Sequence, residues 1–295
     1  MILSKGQKVY QAAINVVLIL VALIMILPLL LLFMSSITEE NTLVVNGYSL
    51  FPEKFSLYAY EYIISNSATL MRAYGISILV TVAGTAGCLL LSTLMAFPLS
   101  LKNLPGRRTL SFFVFFTMLF SGGLVPAYIM WTSWFGIRNT LWAYILPNFL
   151  LGAFNIILIR TYMSTSIPYE LYEAAKIDGA SYPNIYMRIA LPLSKPILVT
   201  VGLFSGLGYW NDWTNAQYYI SDSRMLSVQA LLNRMVQDIQ ALLANSSANS
   251  GSLMQTPQVS IRMAIAFVAM IPILILYPFL QKYFADGIML GAVKG

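Results

Sequence analysis

The sequence predicts an all-α integral membrane protein with six transmembrane helices, on three observations. Hydrophobic residues make up 58% of the 295 and charged residues only 9%, against about a quarter charged in soluble domains. Apolar runs of roughly 20 residues, the length that crosses a bilayer, recur along the chain. The basic residues sit at the ends of these runs. With the N-terminus inside, eleven Lys/Arg fall on the cytoplasmic side (positions 5, 8, 102, 107, 108, 160, 176, 188, 195, 282 and 294) and six outside (54, 72, 138, 224, 234 and 262). That bias orients a multi-pass protein of the cell membrane with both termini in the cytoplasm.

The first span runs from about Ala12 to Met34 behind Lys5 and Lys8. It is too long for a signal-peptide core and lacks a small-residue cleavage site, so it is retained. Ser35–Arg72, with Glu39, Glu40, Glu53 and Glu61, reads as an external loop, which makes 1–72 an N-terminal part ahead of a core over 73–284. Span two is Ala73–Leu99, where Gly75, Gly84, Gly87 and Ser92 permit close helix packing. The KNLPGRR turn over 102–108 carries three positive and no negative charges, as a cytoplasmic loop does. In span three, about Leu110 to Trp131, Gly122-Gly123 and Pro126 loosen or break the outer end. Two readings of that break stay open: a gate element beside a translocation path, or a helix end with interfacial Tyr128, Trp131 and Trp134.

Span four covers Leu141–Ile159, span five Pro196 to about Tyr209, and span six lies within Arg262–Phe284, kinked or adapted at Pro272 and Pro278. Residues 285–295 form a cytoplasmic tail. Between spans five and six an amphipathic helix is predicted over Ser227–Leu243, within 223–244, because Val228, Leu231, Leu232, Met235, Val236, Ile239, Leu242 and Leu243 recur at helical spacing. Its polar face has too few Lys/Arg for a membrane-surface helix, so its apolar face is expected to pack on protein. The tract NSSANSGS, 245–252, has no means of forming a core.

Several functions are excluded. The chain has no His, a single Cys at position 88 within an apolar run, and no GxxxxGK[ST] loop; these remove the commonest metal ligand and the usual phosphate cradle. No metal, no cofactor and no catalytic residue is expected. The net charge of +6 is scattered, which argues against a nucleic-acid partner. Spans nearly free of ionisable groups argue against a proton- or sodium-coupled carrier.

One segment is different. Over 168–192 the chain reads as two short helices joined by a tight turn. Pro168, Glu170 and Glu173 suit a helix start, and Asp178-Gly179 a stop. Ser181 can cap a second helix, whose Tyr182, Ile185, Tyr186 and Ile189 form one apolar stripe until Leu191-Pro192 ends it. One face can pack on the membrane frame while an acidic, small-residued face stays available. Glu173 alone could be a helix-dipole partner or a plain surface carboxylate.

Glu173-Ala174-Ala175, Gly179 four residues after Ala175, then Ile189, Leu191 and Pro192 resemble the EAA loop of permease subunits of ATP-binding-cassette importers. The form with Asp178 before the glycine looks like the carbohydrate-uptake branch, and the end of the chain, from Tyr277, like its maltose-permease G-type subunits. Gly208–Ile220 is similar to permeases of the LplC and YtcP type within that branch. The resemblance implies the type I importer (MetI-like) permease fold, with Glu170, Glu173, Ala174, Ala175, Asp178, Gly179, Ile189, Leu191 and Pro192 coupling to an ATPase. It further implies a contact of Gly291, Lys294 and Gly295 with that ATPase, although a frayed terminus is the alternative there. The implied partners are a homologous second permease, two cytoplasmic ATPase subunits that hold ATP and Mg, an extracellular solute-binding protein, and membrane lipid. The implied activity is inward movement of an oligosaccharide by alternating access; a peptide or amino-acid permease, or a secondary carrier, are the other readings. Tyr209, Trp210, Asn211, Asp212, Trp213 and Asn215 suit a sugar path, since aromatic faces stack on sugars and amides or carboxylates bind hydroxyls. An interfacial aromatic belt or a binding-protein contact would have the same composition.

Overall fold

The computed structural model describes residues 5–65, 67–147, 150–246 and 259–292. Most of the tract at 245–252, and Lys294 and Gly295, lie outside them. In chain order the helices are α1 (Lys5–Ser36), α2 (Glu40–Asn46), α3 (Tyr58–Ser65), α4 (Ser67–Ser100), α5 (Arg107–Leu119), α6 (Leu124–Ile129), α7 (Trp142–Ile145) and α8 (Ala153–Thr165). They continue with α9 (Tyr169–Ile177), α10 (Tyr182–Ile185), α11 (Leu191–Leu193), α12 (Lys195–Trp210), α13 (Thr214–Tyr219), α14 (Val228–Ser246) and α15 (Val259–Ala292). Among the described residues the β-type pairing is a single bridge, Thr38 to Phe55. The chain divides into two units, Met1–Leu70 with Leu232–Pro272, and Met71–Leu231 with Ile273–Gly295.

In the first unit, the apolar part of α1, Tyr10–Ser36, has a mean hydropathy of 3.4 over its most apolar stretch. At 1.5 Å per residue it is about 40 Å long, more than the ~30 Å hydrocarbon core. No side chain from Tyr10 to Met34 is buried, and an all-round apolar helix without protein cover is one that lipid solvates. Helices α2 and α3 occupy the stretch expected as loop. The Glu40 carboxylate accepts from Val259 N at 3.0 Å, Ser260 N at 2.8 Å and the Ser260 hydroxyl at 2.7 Å. It thereby caps the start of α15, where a helix concentrates unpaired N–H groups. Leu232 and Met235 of α14 pack on Ala59, Ile261, Ala264 and Ile265, as the apolar face of the expected amphipathic helix should.

In the second unit, α4 and α12 approach closely through glycines. A Cβ on Gly84 would lie 2.5 Å from Tyr209 Cζ, one on Gly202 3.3 Å from Leu89 Cδ1, and one on Gly206 3.4 Å from Thr85 Oγ1. Apolar helices in lipid lack a hydrophobic drive to associate, so backbone proximity and buried polar contacts hold them. Cys88 Sγ lies 3.3 Å from Ser205 Oγ, and Asn155 Nδ2 donates to both, at 3.4 and 3.3 Å, joining α4, α8 and α12. Gly87 meets Leu150, whereas Gly75 faces open space.

The break expected at Gly122-Gly123 is present. Phe120 is extended, Gly123 has φ 87°, and α5 and the α6 segment through Trp134 meet at 109°. A wide turn follows α6, with Phe135 N donating to Met130 O.

Other expectations need correction. Span four is not one helix over Leu141–Ile159: α7 stops at Ile145 and α8 begins only at Ala153. Pro147 offers no N–H to continue a helix, although Leu146 before it is still helical, and extended Gly152 (ψ 124°) starts α8 afresh. Span two starts at Ser67, six residues early. The second helix of the soluble segment ends at Leu193, one residue past Leu191-Pro192. A wide turn, Tyr186–Ala190, precedes α11, and the chain bends at Ser194 by 78° into α12. Helix α15 runs through Pro272 and Pro278 to Ala292, so the stretch expected as a tail from 285 is helical as far as Ala292.

Among the described residues two helices, Tyr10–Ser36 and Ser67–Ser100, are long and apolar enough to cross a membrane unbroken. Two bent pairs, Arg107–Leu119 with Leu124–Trp134 and Tyr182–Leu193 with Lys195–Trp210, reach that length together, and Val259–Ile275 is a shorter apolar stretch.

Candidate functional site

Residues 168–193 form a rigid hairpin of short helices. Pro168 precedes α9, and Asp178 N donates to Ala174 O at 3.0 Å. Gly179, at φ 80°, donates to Lys176 O at 3.0 Å, and Ala180 N donates to Ala175 O at 2.9 Å. This paired closure requires a left-handed residue directly after the helix end, which costs a side-chain-bearing residue about 1–2 kcal/mol and glycine little. The Ala175 and Gly179 positions are thus two halves of one turn.

The buried side of the hairpin is aromatic. Tyr172 packs edge-on to Phe97 at 6.0 Å, Tyr186 lies 5.4 Å from Phe97, and the Tyr186 hydroxyl is 2.7 Å from Thr93 Oγ1. Ile185, Ala190 and Ile159 complete this core. Burial pushes the Tyr172 phenol up to about 12 and its hydroxyl has no hydrogen-bond partner among the described residues, so this side chain serves as packing. Tyr186 lies on the apolar stripe expected to pack on the membrane frame, and Tyr172 on a similar stripe with Pro168, Leu171 and Ala175; Phe97, far off in α4, leaves no comparable signal.

The opposite side is open. Glu170, Glu173, Ala174, Asp178, Gly179 and Pro192 are exposed, Ala175, Ile189 and Leu191 half-buried, and Ile177 is 86% exposed. Lys176 Nζ donates to the Tyr182 hydroxyl at 2.7 Å, which raises the ammonium above its usual value, Glu173 adding a smaller pull. The surface therefore combines carboxylates with a bare isoleucine on a fixed backbone.

The second candidate segment, Tyr209–Asn215, divides in two. Asn211 and Trp213 are exposed. Tyr209 is 2% exposed with its hydroxyl donating to Ile145 O at 3.1 Å, and Trp210 packs 6.3 Å from Tyr74. Asp212 is buried and accepts from Asn215 N at 3.0 Å and Asn215 Nδ2 at 2.8 Å, starting α13. Burial raises the Asp212 carboxyl above the ordinary range, and these bonds oppose the rise. Asp212→Ala should orphan Asn215 N and leave Asn215 Nδ2 with only its 3.4 Å bond to Pro147 O, destabilising the fold by about 1–3 kcal/mol. Thermal melting of the purified protein would show it as a lowered Tm, with Trp213→Ala close to wild type. Of the tail residues, Gly291 ends within α15. Among the described residues no cluster of His, Cys, Asp or Glu could hold a metal.

Residues 84–289 match the family described as "Binding-protein-dependent transport system inner membrane component". The chain is 41% identical over 278 residues to "Protein LplC" of Bacillus subtilis (strain 168), covering 93% of this chain and 91% of that protein. It is 40% identical over 278 residues to the "Polygalacturonan/rhamnogalacturonan transport system permease protein YtcP" of the same strain, covering 94% and 96%. A bacterial ABC transporter involved in import of the acidic polysaccharide alginate contains a chain with the same fold, at TM-score 0.79 and 28% identity, over 96% of this chain and 99% of that one. With that match spanning the breaks, the glycine-packed helices and the hairpin alike, this chain belongs to the family of binding-protein-dependent transport system inner membrane components.

Proposed function

We propose that the chain is the permease subunit of an ATP-driven importer that carries an oligosaccharide inward by alternating access. Six spans cross the membrane, one of them bent after α5 and one broken between α7 and α8, with both termini and residues 168–193 on the cytoplasmic side. The observation that carries the reading is the exposed face of the hairpin, where Glu173 and the 86% exposed Ile177 stand on a closed, aromatic-backed turn. An aliphatic side chain bare in water beside carboxylates on a fixed backbone suits a protein partner that offers basic side chains and an apolar pocket.

That partner is a pair of ATPase subunits, which hold ATP and Mg. A homologous second permease and an extracellular solute-binding protein complete the assembly. Glu170, Glu173, Asp178 and the small residues Ala174, Ala175 and Gly179 make the coupling surface, with Ile189, Leu191 and Pro192 setting its angle. Gly291, at the end of a helix, leads Lys294 and Gly295 toward the same ATPase. The sugar substrate is supported by the polysaccharides named for YtcP and for the alginate importer. On the outer side Asn211, whose Oδ1 accepts from Gln229 Nε2 at 3.4 Å, and Trp213 are the exposed candidates that could meet sugar or binding protein; Tyr209, Trp210, Asp212 and Asn215 frame them.

Proteoliposomes holding this chain, its partner permease and the ATPase should accumulate oligosaccharide only with ATP inside the ATPase compartment and binding protein on the other side. Accumulation driven by an ion gradient without the ATPase would overturn the reading. The topology is tested separately. In a Cys88→Ser background, cysteines replacing exposed Ser181 and Ser223 should react with a membrane-impermeant reagent from opposite sides. Labelling of both from outside intact spheroplasts would contradict the orientation.

A further inference from the structure

A cleft of about 440 Å³ opens between the C-terminal end of α4, the turn after it and the hairpin. We propose that it binds an anionic phospholipid of the cytoplasmic leaflet, one acyl chain in the cleft and the phosphate held by Lys102 and Lys176. The inference rests on the reading above that places residues 168–193 on the cytoplasmic side.

The floor and walls come from Leu94, Pro98, Leu101, Leu104, Tyr169 and Tyr182, and no acidic side chain lines the cleft. Its volume falls in the range of about 300–1,000 Å³ that ordinary ligand sites occupy. Leu94 is exposed on a helix apolar enough to cross a membrane, so one end of the cleft adjoins hydrocarbon. The other end carries cations. Lys102 Nζ sits 4.8 Å over the Tyr169 ring and Lys176 Nζ 4.5 Å over the Tyr182 ring. Tyr169, Lys176 and Tyr182 line the same cleft, so both lysines are held by rings of its wall. Glu173 is the carboxylate that acts on Lys176 as well, and it is itself exposed.

An apolar slot that begins at hydrocarbon depth and ends under two ammonium groups fits an amphiphile with an anionic head. Basic pockets between helices on the cytoplasmic side take such headgroups. A protein side chain filling the slot would have to reach to the depth of Leu94, inside span two, whereas an acyl chain is already there. The aromatic rings hold the lysines at the rim without neutralising them, so each keeps donors for phosphate oxygens.

The assembled importer, equilibrated in nanodiscs of mixed phosphatidylglycerol and phosphatidylcholine and then released for native mass spectrometry, should retain phosphatidylglycerol preferentially. A contribution of about fivefold per lysine gives a preference of roughly 25-fold. Lys102→Gln with Lys176→Gln should bring the ratio near one. Leu104→Trp, which fills the cleft, should lower retention of both lipids. Co-purification of the ATPase, measured on the same samples, reports the coupling role independently of the lipid count. Lack of a phosphatidylglycerol preference, or a preference unchanged in the double variant, would overturn the lipid site. So would a Leu104→Trp protein that keeps its lipid and loses the ATPase, because the cleft would then belong to that partner.

Discussion

Glu173→Ala should leave the importer assembled in the membrane and lower ATP-driven uptake at least about tenfold. Glu173 is exposed and makes no packing contact in the hairpin core, so its loss does not unfold the turn. The loss falls on the partner, where removing one member of a desolvated charge pair leaves the other unpaired, at about 2–5 kcal/mol. Gly179→Pro should act alike by a different route. It deletes the N–H that donates to Lys176 O and demands a negative φ where the chain has 80°. Met187→Leu, at an exposed position outside the coupling surface, serves as the control with near-normal uptake. Uptake and binding-protein-stimulated ATPase at wild-type level in both Glu173→Ala and Gly179→Pro would remove the hairpin from the coupling role.

Gly84→Leu should sharply reduce the amount of folded protein. Even a single Cβ there would sit 2.5 to 2.7 Å from three atoms of the Tyr209 ring. The ring cannot swing aside cheaply, because it is buried among Cys88, Tyr144 and Ile145 and its hydroxyl bonds Ile145 O. Overpacking of this kind costs about 1–3 kcal/mol for extra methylenes, and leucine adds more than one. Gly84→Ala should show a smaller version of the same loss, read as a lowered Tm in detergent. Pairing Gly84→Ala with Tyr209→Ala should cost less than the sum of the two single changes, since removing the ring removes the clash. Strict additivity would mean that the two residues do not share the contact.

What was legible in the sequence followed from rules that act within a few residues. The turn at Asp178-Gly179, the break at Gly122-Gly123 and the amphipathic face of α14 each depend on local backbone freedom or on spacing. The misjudged places depend on partners far along the chain. Hydropathy alone cannot distinguish a span from a span interrupted at Pro147, because Leu146–Gly152 is as apolar as a helix would be. Pro272 and Pro278 were expected to be kinked or adapted, and α15 runs unbroken through both. The polar cluster at 209–215 looked like a ligand surface, but Tyr209 and Asp212 find their partners at Ile145 and Asn215 and turn inward. Glu40 read as a loop carboxylate; its value as the cap of α15 spans 219 residues of sequence and leaves no local trace.

The 78° elbow at Ser194 has a mechanical consequence. From Tyr182 through α11 the chain is helical, with Ser194 as the joint to the 16 residues of α12, a rod of about 24 Å. The Ser194 side chain is fully buried, so the joint is clamped on the protein side and the two arms act as a crank. A rotation of about 10° of α12 about this point sweeps its Trp210 end through roughly 4 Å, near the spacing of neighbouring strands in a sheet. Because Gly202 and Gly206 press against Thr85 and Leu89, the rod cannot swing alone: α4 has to travel with it, and a pull on the Tyr182–Leu193 arm becomes a displacement of two membrane helices at once.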